Sequence, residues 1–150
     1  MDFTIRQVNN DDLIQLSQLF NDYREFYGQE EDVVGCLEFL RARQRNNEST
    51  IFIATDNEHI LGFVQLYPIF SSVNLSRALL LNDLYVAPQS RKEGIASALI
   101  DAVTTFAKKK HASWVMLQTQ HTNTDAQSLY EKLGFKLDLD CRYYYLSTSD

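Results

Sequence analysis

A chain of 150 residues with 45% hydrophobic and 23% charged side chains has the length for one domain, here residues 1–150, and the composition of a soluble globular protein. Lys and Arg number 14 against 20 Asp and Glu; the resulting charge of −6 disfavours non-specific nucleic-acid binding and mildly favours cationic substrates. No run is long enough to cross a membrane, no signal-peptide pattern opens the chain, and Cys36 and Cys141 sit outside any metal-ligand spacing, so a metal-free cytoplasmic protein with free thiols is expected.

Phe3, Ile5 and Val8 mark a short first strand. Asn9-Asn10-Asp11-Asp12 supplies a cap and first-turn acids for a helix with Leu13, Leu16, Leu19, Phe20 and Tyr23 on one face, ending near Gly28. A second helix spans Glu30 to Arg45, with Val33, Val34, Leu37 and Leu40 inward and Cys36 able to join them. Thr50 to Thr55 and Ile60 to Tyr67 read as strands joined by an Asp56–His59 turn, Pro68 closing the second, and Phe70 to Arg77 as a polar loop. Leu79 to Ala87 is a buried strand stopped by Pro88. Ile95, Ala98, Leu99, Ala102, Val103 and Phe106 then recur at helical spacing, and Lys108 to Lys110 suit the negative end of that helix better than a nucleic-acid patch. Trp114 to Thr119 is a further strand. Asn123 caps a helix with Ala126, Leu129, Tyr130 and Leu133 on one face, closed by Gly134. Lys136 to Leu146 reads as a last, Tyr-rich strand, whole or split, and the tail Ser147 to Asp150 should fray. The predicted order is βααβββαβαβ, an α/β chain.

The loop Arg91-Lys92-Glu93-Gly94-Ile95-Ala96 opens a helix, where unpaired backbone N–H groups and the helix dipole attract anions. Gly94 permits close approach of a ligand, Ala96 adds little bulk, and Arg91 and Lys92 add positive charge; Glu93 suits a phosphate only if it points to solvent. The same residues also suit an ordinary strand-to-helix connection. A second stretch, Asn123-Thr124-Asp125-Ala126-Gln127-Ser128-Leu129-Tyr130-Glu131-Lys132-Leu133-Gly134-Phe135, follows the next strand. Together the two resemble the GCN5-related N-acetyltransferase (GNAT) family. Its R/Q-x-x-G-x-G/A signature is matched at Arg91, Gly94 and Ala96, and its N-x-x-A-x-x-x-Y-x-x-x-G-F signature at Asn123, Ala126, Tyr130, Gly134 and Phe135.

The resemblance implies a mixed, mostly antiparallel central sheet flanked by helices. It also implies acetyl-CoA as co-substrate, with Arg91 and the amides of Lys92, Glu93, Gly94, Ile95, Ala96 and Ser97 on the pyrophosphate. Backbone groups of Leu84, Tyr85 and Val86 would pair with the pantetheine amides, and Asn123, Ala126 and Tyr130 would complete that site. A backbone N–H near Leu84 would hold the oxyanion, one such donor being worth about 3 kcal/mol. Tyr130 would protonate the leaving thiolate, its phenol being neutral at pH 7; core packing is the other role open to it. Many relatives carry Glu where this chain has Asn82, so a water held by Asn82 is the favoured base. Asp83, which strand alternation places on the opposite face, and the loop His121 are the other candidates.

In the resembled fold, Tyr23, Phe26 and Tyr27 can wall the acceptor pocket, although core packing is their default role, and the loop before the central strand can form its rim. The function so implied is direct transfer of acetyl to a primary amine of a small molecule. Acetylation of protein lysines or N-termini and non-catalytic acyl-CoA sensing are the alternatives. Tyr143-Tyr144-Tyr145 places aromatics on both faces of the last strand, and a homodimer through that strand is expected.

Overall fold

The computed structural model describes residues 2–149. The chain divides into two compact units between Gln118 and Thr119.

The first unit holds β1 (Thr4–Gln7), α1 (Leu13–Phe26), α2 (Val33–Arg45), β2 (Thr50–Thr55), β3 (Ile60–Ser71), β4 (Ser76–Val86), α3 (Ile95–Lys109) and β5 (Val115–Met116). The strands form one sheet in the order β1-β2-β3-β4-β5, antiparallel except for the parallel pair β4 and β5. Period-two alternation along β2 separates two layers. Ile51 and Ile53 join a buried cluster with Leu13, Leu16, Phe20 and Leu40 of α1 and α2, whereas Phe52 meets Phe106 of α3 at 5.6 Å. Ile95, Leu99, Ile100 and Val103 form the buried stripe of α3. Asn9 accepts from Asp11 N, and the Asp12 carboxylate takes both the Asn9 N–H and Arg6, which holds that acid below the usual carboxylate range. Asp32 caps α2 by accepting from Gly35 N at 2.9 Å, so that helix starts at Val33 rather than Glu30. Cys36 is buried and free, and burial raises its thiol pKa.

Three strand expectations change. First, β3 does not stop at Pro68 but runs to Ser71, turning the expected polar loop into a hairpin with β4. Pro68 faces Leu79, whose own N–H donates to Trp114 O at 3.0 Å, away from β3. The pair is therefore a non-hydrogen-bonded one, and the missing proline N–H would have pointed to the side where β2 has already ended at Thr50, opposite Leu66. Second, β5 shrinks to Val115–Met116 and pairs only with Leu79 and Leu80.

Third, the C-terminal unit carries α4 (Thr124–Lys132) and no strand over residues 136–146. Asp138 Oδ1 accepts from Asp140 N at 2.9 Å and Cys141 N at 3.2 Å, a side-chain turn that interrupts the run of strand formers. Of the tail expected to fray, Asp150 lies outside the described residues.

Gly62 of β3 is set by space. A Cβ there would meet Tyr85 O at 3.0 Å, Ile95 Cγ2 at 3.2 Å and Val86 Cγ2 at 3.3 Å, so the end of β4 and the start of α3 close over it. Gly62→Val should lower the unfolding free energy by about 1–3 kcal/mol, read from the urea midpoint at unchanged slope.

Candidate active site

One residue of β4 is out of step with β3. Val64 faces Leu84, Gln65 faces Asp83, and Leu66 faces Leu81, leaving Asn82 as the extra residue of a bulge. The bulge cancels the alternation that should separate Asn82 from Asp83: Asn82 Nδ2 donates to Asp83 Oδ1 at 3.1 Å. Tyr23 Oη, from the last turns of α1, donates to the same oxygen at 2.8 Å, and Gln65 Nε2 donates to Asp83 Oδ2 at 2.9 Å. Asp83 is 6% exposed and Gln65 fully buried, while Asn82 lies at the surface. The placement of Asp83 opposite Asn82 is thus corrected, because alternation holds only where the pleat is unbroken. Burial first, and then the charge of Asp83, push the Tyr67 phenol up to about 12.

Tyr23 has two roles, of which the sequence pattern indicates only the packing. Its ring packs with Phe20, Phe63, Tyr85 and Tyr27 at centroid distances of 6.0, 5.6, 5.6 and 5.2 Å, while its hydroxyl holds Asp83. The sequence reading passed over Gln65 and Tyr67. Their signal was a lone amide and a phenol inside the apolar run Ile60 to Tyr67, where a buried polar side chain needs a partner.

Beyond the bulge, Leu84, Tyr85 and Val86 pair with β3 on one side. Among the described residues, no strand pairs with their other side, since β5 is paired only at Leu79 and Leu80. The chain then turns through Pro88–Ser90 into the loop before α3. Two of that loop's residues are left-handed, Lys92 at φ 65° and Gly94 at φ 84°. Nothing lies within 4 Å of where a Gly94 Cβ would be, so what the glycine provides is the backbone conformation. No side chain caps α3, in contrast to α2 and α4. The first amides, at Ile95, Ala96 and Ser97, thus stand at an uncapped helix start beside two left-handed turns, an arrangement that gathers N–H groups toward an anion. Arg91 is held in place: its Nε donates to Val86 O at 3.0 Å and its guanidinium lies 5.4 Å from the Tyr85 ring centre and 5.9 Å from that of Phe26. Burial raises the Tyr85 phenol pKa against the opposing effect of Arg91.

In the C-terminal unit, Asn123 caps α4 by accepting from Ala126 N at 3.3 Å. Tyr130 sits two turns along, its ring 5.7 Å from Phe135 in an edge-on contact, and Phe135 N returns to Tyr130 O at 3.0 Å beyond the left-handed Gly134. His121 is exposed in the preceding loop. A separate cleft of about 500 Å³ is lined by residues that include Glu48 and Phe106 together with Phe70 and Arg77 of the expected rim, and holds none of the residues predicted for catalysis or cofactor binding. Among the described residues, no group of three His, Cys, Asp or Glu could hold a metal ion.

The profile of the Acetyltransferase (GNAT) family matches residues 13–135, most of the chain. The chain belongs to the GNAT acetyltransferase family. It is 44% identical over 143 residues to the "Uncharacterized N-acetyltransferase YhfO" of Bacillus subtilis, covering 95% of this chain and 96% of that one. A "Probable acetyltransferase" of Haemophilus influenzae is 37% identical over 135 residues, 89% of this chain and 90% of its own length. A crystal structure of a "probable acetyltransferase" aligns with a TM-score of 0.93 at 39% identity, over 98% of this chain and 99% of that one. This GNAT protein is an acetyltransferase with the family's mixed sheet and flanking helices, and the family normally uses acetyl-CoA.

The raised Tyr67 phenol gives a pH dependence. Folding favours its neutral form, so that contribution to stability is complete below the unfolded value of about 10 and is lost as pH rises through about 12. The melting temperature should fall between pH 10 and 12, and fall less in Tyr67→Phe, as followed by circular dichroism.

Proposed function

We propose that this acetyltransferase, acting as one domain over residues 1–150, transfers acetyl from acetyl-CoA to a primary amine of a small molecule by direct attack. The observation that supports it most is the uncapped start of α3 behind left-handed Lys92 and Gly94, with Arg91 already oriented on Val86 O. Acetyl-CoA supplies an activated acyl group on a thioester. Arg91 and the amides from Lys92 to Ser97, Glu93 included, bind its pyrophosphate. The unpaired side of Leu84, Tyr85 and Val86 takes the pantetheine amides, with Asn123 and Ala126 as further contacts. The backbone N–H near Leu84 stabilises the oxyanion. A water on Asn82, whose amide is anchored to Asp83, takes the amine proton, and Tyr130 gives one to the leaving thiolate.

The exposed phenols of Tyr143, Tyr144 and Tyr145, at 62%, 90% and 91%, support a homodimer through the C-terminal segment. The acidic charge argues against a nucleic-acid partner, and free thiols fit a cytoplasmic site. No helix among the described residues is long and apolar enough to cross a membrane. The amide at Asn82, where relatives place a carboxylate, favours acyl-CoA sensing as the second reading, and acetylation of protein amines is the alternative acceptor class.

Release of free thiol from acetyl-CoA across a panel of amines tests the proposal; binding without release by any amine would favour the sensor. Gly94→Glu, which puts a carboxylate at the pyrophosphate position, should abolish acetyl-CoA binding while lowering the melting temperature no more than Gly94→Ala, which carries the same left-handed backbone strain without the charge. Titration calorimetry with undiminished affinity would remove the phosphate-loop assignment. Tyr130→Phe should keep cofactor affinity and lower kcat about 10²-fold or more. Full activity would return Tyr130 to a packing role.

A further inference from the structure

We infer that Phe26, the last residue of α1, is a positioning residue for the cofactor: its ring, together with that of Tyr85, forms the shelf that holds the Arg91 guanidinium ready for the pyrophosphate. The inference rests on the reading above in which Arg91 binds that group.

It starts from what fixes Arg91. A long arginine side chain loses rotamer freedom when it grips a phosphate, and the loss is smaller when the side chain is already held. Here it is held in two ways. Nε donates to Val86 O at 3.0 Å, which ties the guanidinium to the end of β4. Its Cζ lies over the Tyr85 ring at 5.4 Å and over the Phe26 ring at 5.9 Å, within the range of a cation–π attraction. With Nε committed, Nη1 and Nη2 carry the remaining N–H donors, and these are the ones a phosphate can take as a pair.

The two rings contribute differently. Tyr85 is buried and packs on Tyr23 and Phe63 at 5.6 and 6.5 Å, so the core fixes its place. Phe26 is 61% exposed and lies outside the buried cluster under α1. Its ring meets Tyr85 at 6.2 Å and Tyr27 at 5.2 Å. A residue of α1 is thereby brought against the loop that opens α3, and the cation it meets there is the one assigned to the cofactor. Lysine at position 91 could not use this shelf in the same way, because an ammonium has neither the planar face nor the Nε that ties it to Val86 O.

Titration calorimetry with acetyl-CoA, in the absence of any amine, tests the shelf on Phe26→Leu, Arg91→Ala and the two combined. Phe26→Leu should raise the Kd about threefold or more, with the melting temperature little changed because the side chain lies outside the core. Phe26→Tyr, which keeps a ring face, should bind as the unaltered protein does. Arg91→Ala should weaken binding more than Phe26→Leu does, and adding Phe26→Leu to it should have no further effect, since the shelf then has nothing to hold. An unchanged Kd in Phe26→Leu, or the same loss with and without Arg91, would overturn the inference while leaving Arg91 on the pyrophosphate. An unchanged Kd in Arg91→Ala would instead remove Arg91 from the pyrophosphate, and the role of the shelf with it.

Discussion

Of the three hydrogen bonds to Asp83, the one from Asn82 depends on a single extra residue in β4. Without the bulge at Asn82, neighbouring side chains would point to opposite faces, and Asn82 could not share Asp83 with Tyr23 and Gln65. A buried carboxylate is tolerable only when donors replace the water it has lost, and here they come from three elements: α1, β3 and β4 itself. The network therefore ties the helical layer to the sheet at the point where β4 leaves its pairing with β5.

From that point the strand serves two purposes. Its inner side continues the ladder with β3 to Val86, and among the described residues its outer side meets no strand from Leu81 on, because β5 is only two residues long. The same strand end feeds the loop that opens α3, and Gly62 allows the two to close together. Sheet register, bulge and helix start thus follow one another along about fifteen residues of chain, which is why the binding groups proposed for this unit are so local in sequence.

Much of this was legible from residue patterns. Strand β2 and helix α4 follow their hydrophobic periods closely, and Asn9 and Asn123 act as the caps their residue types suggest. The start of α3 was legible because a glycine between a buried strand and an amphipathic run has few other uses. The bulge was not, because it depends on the register of β4 against β3, a long-range property that no local window contains. Nor was the Tyr23 hydroxyl bond, since an aromatic on an amphipathic face looks the same whether or not its oxygen has a partner 60 residues away. The last strand failed for the opposite reason. Alternating Leu and Tyr residues carry the propensity, but Asp138 takes two backbone N–H groups for itself.

Pro68 has an effect that reaches beyond the single chain. The β3 segment past Leu66 runs beside β4 with its other edge uncovered by β2, and such an edge is a template on which a foreign strand can add. At Pro68 the group facing that edge is a ring carbon in place of a donor, so an incoming strand finds a gap in the ladder it would need. The residue that contributes nothing to the hairpin's own bonding thereby guards the hairpin against aggregation.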